Sequence, residues 1–356
     1  WLARLWHDQL GAAEADALAE AMNRPGPVFV RANRLRCTRD ELARELAAEG
    51  IPTRPTELSP DGLVLLARAN IFGSRAWRRG LFEVQDEGSQ LIARLAAPRP
   101  GQRCVDACAG AGGKTLALAA LMEDRGRIVA LDVDAQRLAD LRPRLARAGV
   151  GCVEAHRVEP DGPYPEAARD ADVVLVDAPC SSLGTLRRGP DARWRIRPED
   201  VAAFPALQRA ILARAAACVR PGGRLVYATC TLNRAENEGV AEDFAASHPE
   251  FVTAPLATLL GPGLAARLGD GSMLLMPHRH GCDGFFACAW ERRWCRMKWP
   301  SAAHRRSRPA VSKSSLMRST RKTTKFVRLL RLPCWVAARW IVTRPSRTNW
   351  YSVAWW

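Results

Sequence analysis

Residues 295 to 356 of this chain contain no aspartate and no glutamate, against fifteen Lys or Arg and six of the twelve Trp. They also lack the hydrophobic periods of a helix or a strand. So abrupt a change in composition reads as translation in a wrong frame or read-through; a natural polybasic tail is the alternative. Without that segment the formal charge of +16 falls to 38 basic against 37 acidic side chains, a net of +1. The overall charge is therefore no argument for a nucleic-acid partner. No apolar run is long enough to span a bilayer, and no signal peptide is visible. The chain begins at Trp1 rather than Met, which reads as a missing start. Its eleven cysteines lack paired spacing. That excludes a disulfide framework and suits a reducing cytoplasm, so a cytoplasmic protein is expected.

A chain of 356 residues can hold two or three domains. Residues 1 to 24 carry Leu2, Leu5, Trp6, Leu10 and Leu18 at helical spacing and read as a helix stopped by RPGP. VFVRAN reads as a strand. TRDELARELAAEG reads as a helix capped by Thr38, with Glu41 three residues on and Gly50 closing it. These elements make a small α+β unit ending near residue 75.

From residue 101 strand and helix alternate. RCVDAC, GRIVALDVD, GCVEAHRVE, ADVVLVDAP and GGRLVYATC read as strands. GGKTLALAALME, AQRLADLRPRLARAG (bent at Pro143), a segment near 200–218 and AENEGVAEDFAAS read as helices. SMLLMPHRH and GFFACAWER read as a closing hairpin. Such alternation predicts an α/β fold whose parallel sheet is covered on both faces, with ligands beyond the carboxyl ends of the strands.

DACAGAGGKT (106–115) joins the first of these strands to the first helix. A phosphate-binding loop needs glycine five residues before Gly113, where Cys108 stands, and a dinucleotide fingerprint from Gly110 needs its third glycine at Thr115. Both templates fail. A glycine turn remains, with Lys114 behind it and Asp132 at the end of the next strand, nineteen residues past Gly113. A carboxylate there can accept from two ribose hydroxyls. An adenosyl ligand without a pyrophosphate fits best, pointing to S-adenosylmethionine; the alternative is that the glycines only permit tight strand–helix packing.

DAPCSS (177–182) follows the hydrophobic run ADVVLV, and YATCT (227–231) closes another, so each run leads to a cysteine, the two fifty residues apart. In a parallel sheet Asp177, Cys180 and Cys230 would all lie on the ligand side. Cytosine C5 is a poor nucleophile, but a thiolate added to C6 turns the ring into an enamine that attacks an electrophilic methyl group. The C5 proton must then leave, and a second thiolate can take it. An acid beside the ring can hold or protonate N3. Either cysteine alone is an ordinary buried thiol; the pair with an acid and a methyl donor makes a complete mechanism.

DACAGAGGKT, DAPCSSLGTLRR, YATCTLNRAENE and PHRHGCDGFF resemble, in order and spacing, the bacterial Sun-type RNA cytosine-5 methyltransferases, most of all the RsmB branch that modifies small-subunit ribosomal RNA. VFVRANRLRCTRDELARELAAEGI and LFEVQDEGSQLIA resemble the segments ahead of that family's catalytic domain. The resemblance covers residues 1 to about 293. It implies a Rossmann-like class I S-adenosylmethionine-dependent methyltransferase at 76–293, a small N-terminal α+β RNA-binding unit at 1–75, and a tail at 294–356. The implied partner is RNA, ribosomal in the first instance. A monomer without metal or membrane is expected.

By that resemblance Cys230 is the nucleophile and Cys180 assists proton removal and product release. Asp177 contacts the target base and borders the donor, with Lys114 nearby. Cys108, Ala109, Gly110, Ala111, Gly112, Gly113 and Lys114 carry the donor, Asp132 its ribose and Glu159 its adenine side. Arg187, Arg188, Asp191 and Trp194 match a loop that shapes the RNA pocket. The sequence departs from the family at Ala111, where proline is common, at Ser182, where glycine or alanine is usual, and at Arg234, where proline often stands. The branch's additional helical RNA-binding domain has no counterpart in the sequence.

Two weaker signals remain. His278, His280 and Cys282 alternate as if on one face of a strand, but no fourth ligand is evident and zinc is not expected. SRAWRRG (74–80) interleaves Trp77 with Arg75, Arg78 and Arg79, a candidate patch for single-stranded RNA or a solvated loop. Two rival functions stay open: a transfer-RNA or DNA substrate, and a non-catalytic RNA-binding or ribosome-assembly protein on the same fold. The second would be expected to have lost a cysteine or the ribose acid.

Overall fold

The computed structural model describes residues 1–269 and 271–294; the basic, tryptophan-rich residues 295–356 lie outside them. Residues 1–24 form two helices rather than the expected one, Leu2–Leu10 and Ala12–Asn23. Gly11 separates them at φ +79°, a backbone angle that apolar spacing alone does not reveal. Trp6, Ala15, Leu18 and Met22 on this pair pack against Leu183, Leu186, Leu232 and Met276.

The next segment folds into an antiparallel sheet of β1 (Phe29–Ala32), β2 (Thr53–Pro55), β3 (Gly62–Leu65) and β4 (Phe82–Val84), in the order β2-β3-β1-β4. Its fourth strand thus lies past residue 75. The helix Arg39–Ala48 begins with the expected capping box, in which the Glu41 N–H donates to the Thr38 hydroxyl and the Thr38 N–H to the Glu41 carboxylate. Leu42 and Leu46 on that helix pack with Val30, Leu63, Ile71 and Phe82 as a separate core.

The larger sheet is built from β5 (Arg103–Asp106), β6 (Arg127–Asp132), β7 (Val153–Arg157), β8 (Ala171–Asp177), β9 (Val219–Thr229), β10 (Phe251–Thr253), β11 (Met273–Leu275) and β12 (Phe285–Arg292). The order is β10-β12-β9-β8-β5-β6-β7, with β11 beside β12. β5 to β9 run parallel, and β12 joins β9 antiparallel. Successive side chains of β8 alternate between two cores. Val173 and Leu175 pack with Val226 and Ala228, whereas Val174 and Val176 pack with Leu225 and Tyr227. Burial on both faces explains the near-continuous apolar run of this strand.

The expected helix forms as Ala135–Ala148 with Pro143 inside it. One expectation changes in detail. The closing hairpin forms between β11 and β12, but Pro277–His280 between them is a helical turn. Proline at its first position presets the backbone for a helix, so the expected strand alternation of His278, His280 and Cys282 does not occur. His278 instead meets Glu14 at 2.7 Å, His280 contacts the backbone of Met276, and Cys282 is buried. Among the described residues no group of acids, histidines and cysteines is arranged to hold a metal ion, and no helix is long and apolar enough to cross a membrane.

Candidate active site

The chain leaves β5 for β6 in one direction and reaches β8 on the other side, so a crevice opens beyond the carboxyl ends of β5 and β8. The glycine turn lines one wall. Gly110 and Gly112 take φ +54° and +88°. At Gly112 a β-carbon would stand 2.1 Å from Leu141 Cδ1, so both angle and space favour glycine there. The Gly110 N–H donates to Asp132 Oδ2 at 2.7 Å, and the Asp134 N–H donates to Oδ1 at 2.8 Å. The ribose acid expected from the sequence is therefore fixed against the turn. Cys108 is half-buried and burial pushes its thiol well up, so it is a wall of the turn rather than a nucleophile.

At the end of β5 sits Asp106, 1% exposed. Its Oδ2 accepts from the Thr115 hydroxyl at 2.7 Å, while Oδ1 has no partner. Burial pushes its carboxyl up to about 7, against the bond from Thr115. A buried oxygen without a donor beside a ligand turn asks for one from a ligand.

The thiols meet on the other wall. Cys180 Sγ and Cys230 Sγ lie 3.4 Å apart, and the Cys230 N–H donates to Cys180 Sγ at 3.4 Å. The hydrogen bond with Cys230 and burial together hold the Cys180 thiol well above its usual range. Lys114 Nζ reaches Asp177 Oδ2 at 2.6 Å and lies 5.9 Å over the Phe285 ring. Burial opposes the lysine charge, but Asp177 outweighs it and the net shift is upward. The expected quartet of Cys230, Cys180, Asp177 and Lys114 is thus gathered at the ends of β5, β8 and β9.

Most of the remaining expected residues are engaged by neighbours. Glu159 follows Val158, whose N–H donates to the Asp132 carbonyl at 3.0 Å, and its carboxylate pairs with Arg157 at 3.5 Å. Arg187 and Arg188 turn inward: Nε of each donates to buried Asp283, at 2.6 and 2.8 Å, and Arg188 also reaches Asp86 at 3.0 Å. They anchor the loop rather than face a pocket. Asp191 pairs with Arg195, and Trp194 is 85% exposed. Trp77 is not a free platform, because Phe72 and Phe82 flank it at 5.0 and 5.4 Å and the Arg147 guanidinium covers it at 3.6 Å.

A family model for the 16S rRNA methyltransferase RsmB/F matches residues 93–291, and a model for the ferredoxin-like domain of RsmF/B-like methyltransferases matches residues 1–71. The chain belongs to the RsmB/F methyltransferase family. It is similar to the probable ribosomal RNA small subunit methyltransferase B of Bacillus subtilis, 33% identical over 82% of this chain and 66% of the relative. The Synechocystis protein described in the same words is 36% identical over 80% of this chain and 65% of the relative. The chain therefore spans just under two thirds of these relatives. A crystal structure of a methyltransferase homolog protein from Pyrococcus horikoshii aligns with a TM-score of 0.68 at 27% identity, over 81% of this chain and 93% of that one.

In this member of the RsmB/F family a buried polar clamp flanks the two cysteines. Glu236 is fully buried and accepts from the Ser181 N–H at 2.9 Å, the Ser181 hydroxyl at 2.5 Å, Gln208 at 3.0 Å and Asn233 at 3.1 Å. Ser181 in turn meets the Thr231 hydroxyl at 2.8 Å. One acid thus ties the turn after β8 to the turn after β9. A second tie is backbone on backbone: the Gly184 N–H donates to the Cys230 carbonyl at 3.0 Å, and the Gly284 N–H donates to the Gly184 carbonyl at 2.8 Å. Glu236 and Asp283 were not singled out from the sequence, although each lies in a quoted motif. An acid within an otherwise small, polar run after a strand-end cysteine was the available signal.

Proposed function

We propose that this chain transfers a methyl group from S-adenosylmethionine to C5 of a cytosine in RNA, with small-subunit ribosomal RNA as substrate. The observation that carries the reading is the pair of thiols 3.4 Å apart beside the Lys114–Asp177 ion pair. The donor fits the residues present. Asp132 offers its carboxylate to the ribose, Gly110 to Gly113 leave backbone free of side chains, and Asp106 Oδ1 is an open acceptor for the donor's ammonium group. When bound, S-adenosylmethionine supplies an electrophilic methyl group.

The chain's own residues account for the rest. Cys180 holds its proton in the free site, which leaves Cys230 to add to C6. Asp177, held by Lys114, can pass the Cys230 thiol proton to N3 and so favours that addition. Once Cys230 carries the base it no longer hydrogen-bonds Cys180 as a thiol, and the largest cause of the raised Cys180 pKa disappears. Cys180 then releases its own proton to solvent more readily, and as a thiolate it takes the C5 proton. As that proton moves, the C6–S bond breaks and Cys230 is restored. The target base has to leave its stack to reach both sulfurs.

An RNA partner is supported by a cleft lined in part by Arg36, Arg78 and Arg79, the last paired with Glu45 at 2.9 Å. Exposed Trp194 offers a face for an unpaired base.

The test uses the full chain, S-adenosylmethionine and ribosomal RNA from cells lacking this modification. Cys180→Ala is expected to trap a protein–RNA adduct on denaturing gels. Cys230→Ala is expected to abolish both adduct and methyl transfer. Methyl transfer that survives Cys230→Ala would sink the covalent mechanism. Wild-type protein that neither binds the donor nor methylates RNA would favour a non-catalytic binding role.

A further inference from the structure

Resting on the reading above, we infer that Arg144, held by Glu83, is a positioning residue through which the N-terminal sheet sets the affinity of the glycine turn for the methyl donor. Ala111 stands where the family commonly has proline, so this turn lacks the stiffness of a ring. Arg144 supplies a substitute from outside: its NH1 donates to the Ala111 carbonyl at 2.7 Å. The rest of the same guanidinium is engaged by Glu83 Oε2, at 3.2 Å from Nε and 2.8 Å from NH2. Glu83 lies on β4 and its side chain is 3% exposed. Its other oxygen takes Arg147, whose guanidinium stacks on Trp77.

The helix Ala135–Ala148 is thus a lever between two units. The N-terminal unit grips it at Glu83 and again at its carboxyl end. There the Asn33 side-chain amide donates to the Ala148 carbonyl at 2.9 Å and Arg36 does so at 3.1 Å. Along the same face the helix touches the glycine turn twice, through Arg144 on the Ala111 carbonyl and through Leu141 beneath Gly112. A planar fork suits this double duty because its five donors are fixed relative to one another. Arg144 touches neither donor nor base, and acts only by fixing the turn. Equilibrium coupling is reciprocal, so RNA that shifts β4 would alter donor affinity, and bound donor would alter RNA affinity.

The experiment is calorimetric titration of S-adenosylmethionine into the full chain without RNA, with thermal midpoints measured alongside. Arg144→Ala is expected to raise the donor Kd roughly tenfold, the scale of one lost charge-assisted hydrogen bond. Arg147→Ala removes a comparable partner from Glu83 but leaves the Ala111 carbonyl bonded, so its donor Kd is expected to stay near wild type. Arg144→Lys keeps the charge but not the fork, and should fall between. A wild-type Kd in Arg144→Ala overturns the inference. So does an Arg147→Ala variant that weakens donor binding as much, with Kd following thermal midpoint across the series. If the wild type itself binds no donor, the functional reading falls and this inference with it; if it binds and Arg144→Ala binds equally, only the inference falls.

Discussion

The two walls of the crevice are held by different means. On the donor wall the chain's shape comes from glycines, a carboxylate that receives backbone N–H groups, and one guanidinium on a carbonyl. On the thiol wall it comes from buried side chains: Glu236 gathers four donors, and Asp283 gathers two arginines. A backbone-built wall tolerates many side chains but few angles. A wall built on buried acids tolerates almost no loss of a partner, because each orphaned group bears its full desolvation cost.

The largest expected effect lies on the thiol wall. Glu236→Ala leaves the Ser181 N–H and the Asn233 amide without an acceptor and takes one from Gln208, and is expected to cost about 3 kcal/mol of stability, with methyl transfer lost. Denaturant midpoints and transfer assays check both, and a near-neutral result would dissolve the contrast between the walls.

On the donor wall the expected effect is a pH dependence. Asp106 titrates near 7 in the folded chain, above an ordinary carboxyl. Below that pH it is neutral and cannot pair with an ammonium group. Donor affinity should therefore rise about tenfold from pH 6 to pH 8, as one site titrating near 7 requires, and Asp106→Asn should flatten the curve. The sign for stability is opposite. A raised folded pKa means the folded state holds the proton more tightly, so the donor-free chain loses this contribution as pH climbs from the carboxyl range through 7.

The smallest effect is Ser182→Gly. Ser182 sits at φ +57°, and glycine there should relieve about 1 kcal/mol of backbone strain. A thermal midpoint higher by about 2 °C is expected, with transfer retained if Glu236 rather than the Ser182 hydroxyl holds the thiols.

The same contrast governs what the sequence could reveal. Strand–helix alternation, the Thr38 cap and the glycine turn are local patterns, and the structure reproduces them. The quartet around Cys230 was legible because strand ends in a parallel sheet share one side. Asp283, Asp86 and Glu83 were not legible, since their partners lie between 61 and 102 residues away in sequence. Glu159 was assigned through the resemblance alone, and no local pattern tied it to the donor. Gly11 was missed because apolar spacing continues across the break that it makes.

The first two helices bear on how such a protein can be taken apart. Leu18 and Met22 share a core with Leu183 and Leu186, in the loop after Cys180, and with Leu232, two residues past Cys230. Residues 2–23 are thus masonry for the thiol wall, and they precede in sequence everything they support. A graft that exchanged the front of the chain for that of a relative would exchange part of the reaction chamber with it. Recombination between family members should succeed only where Leu183, Leu186, Leu232 and Met276 travel together with the helices that cover them.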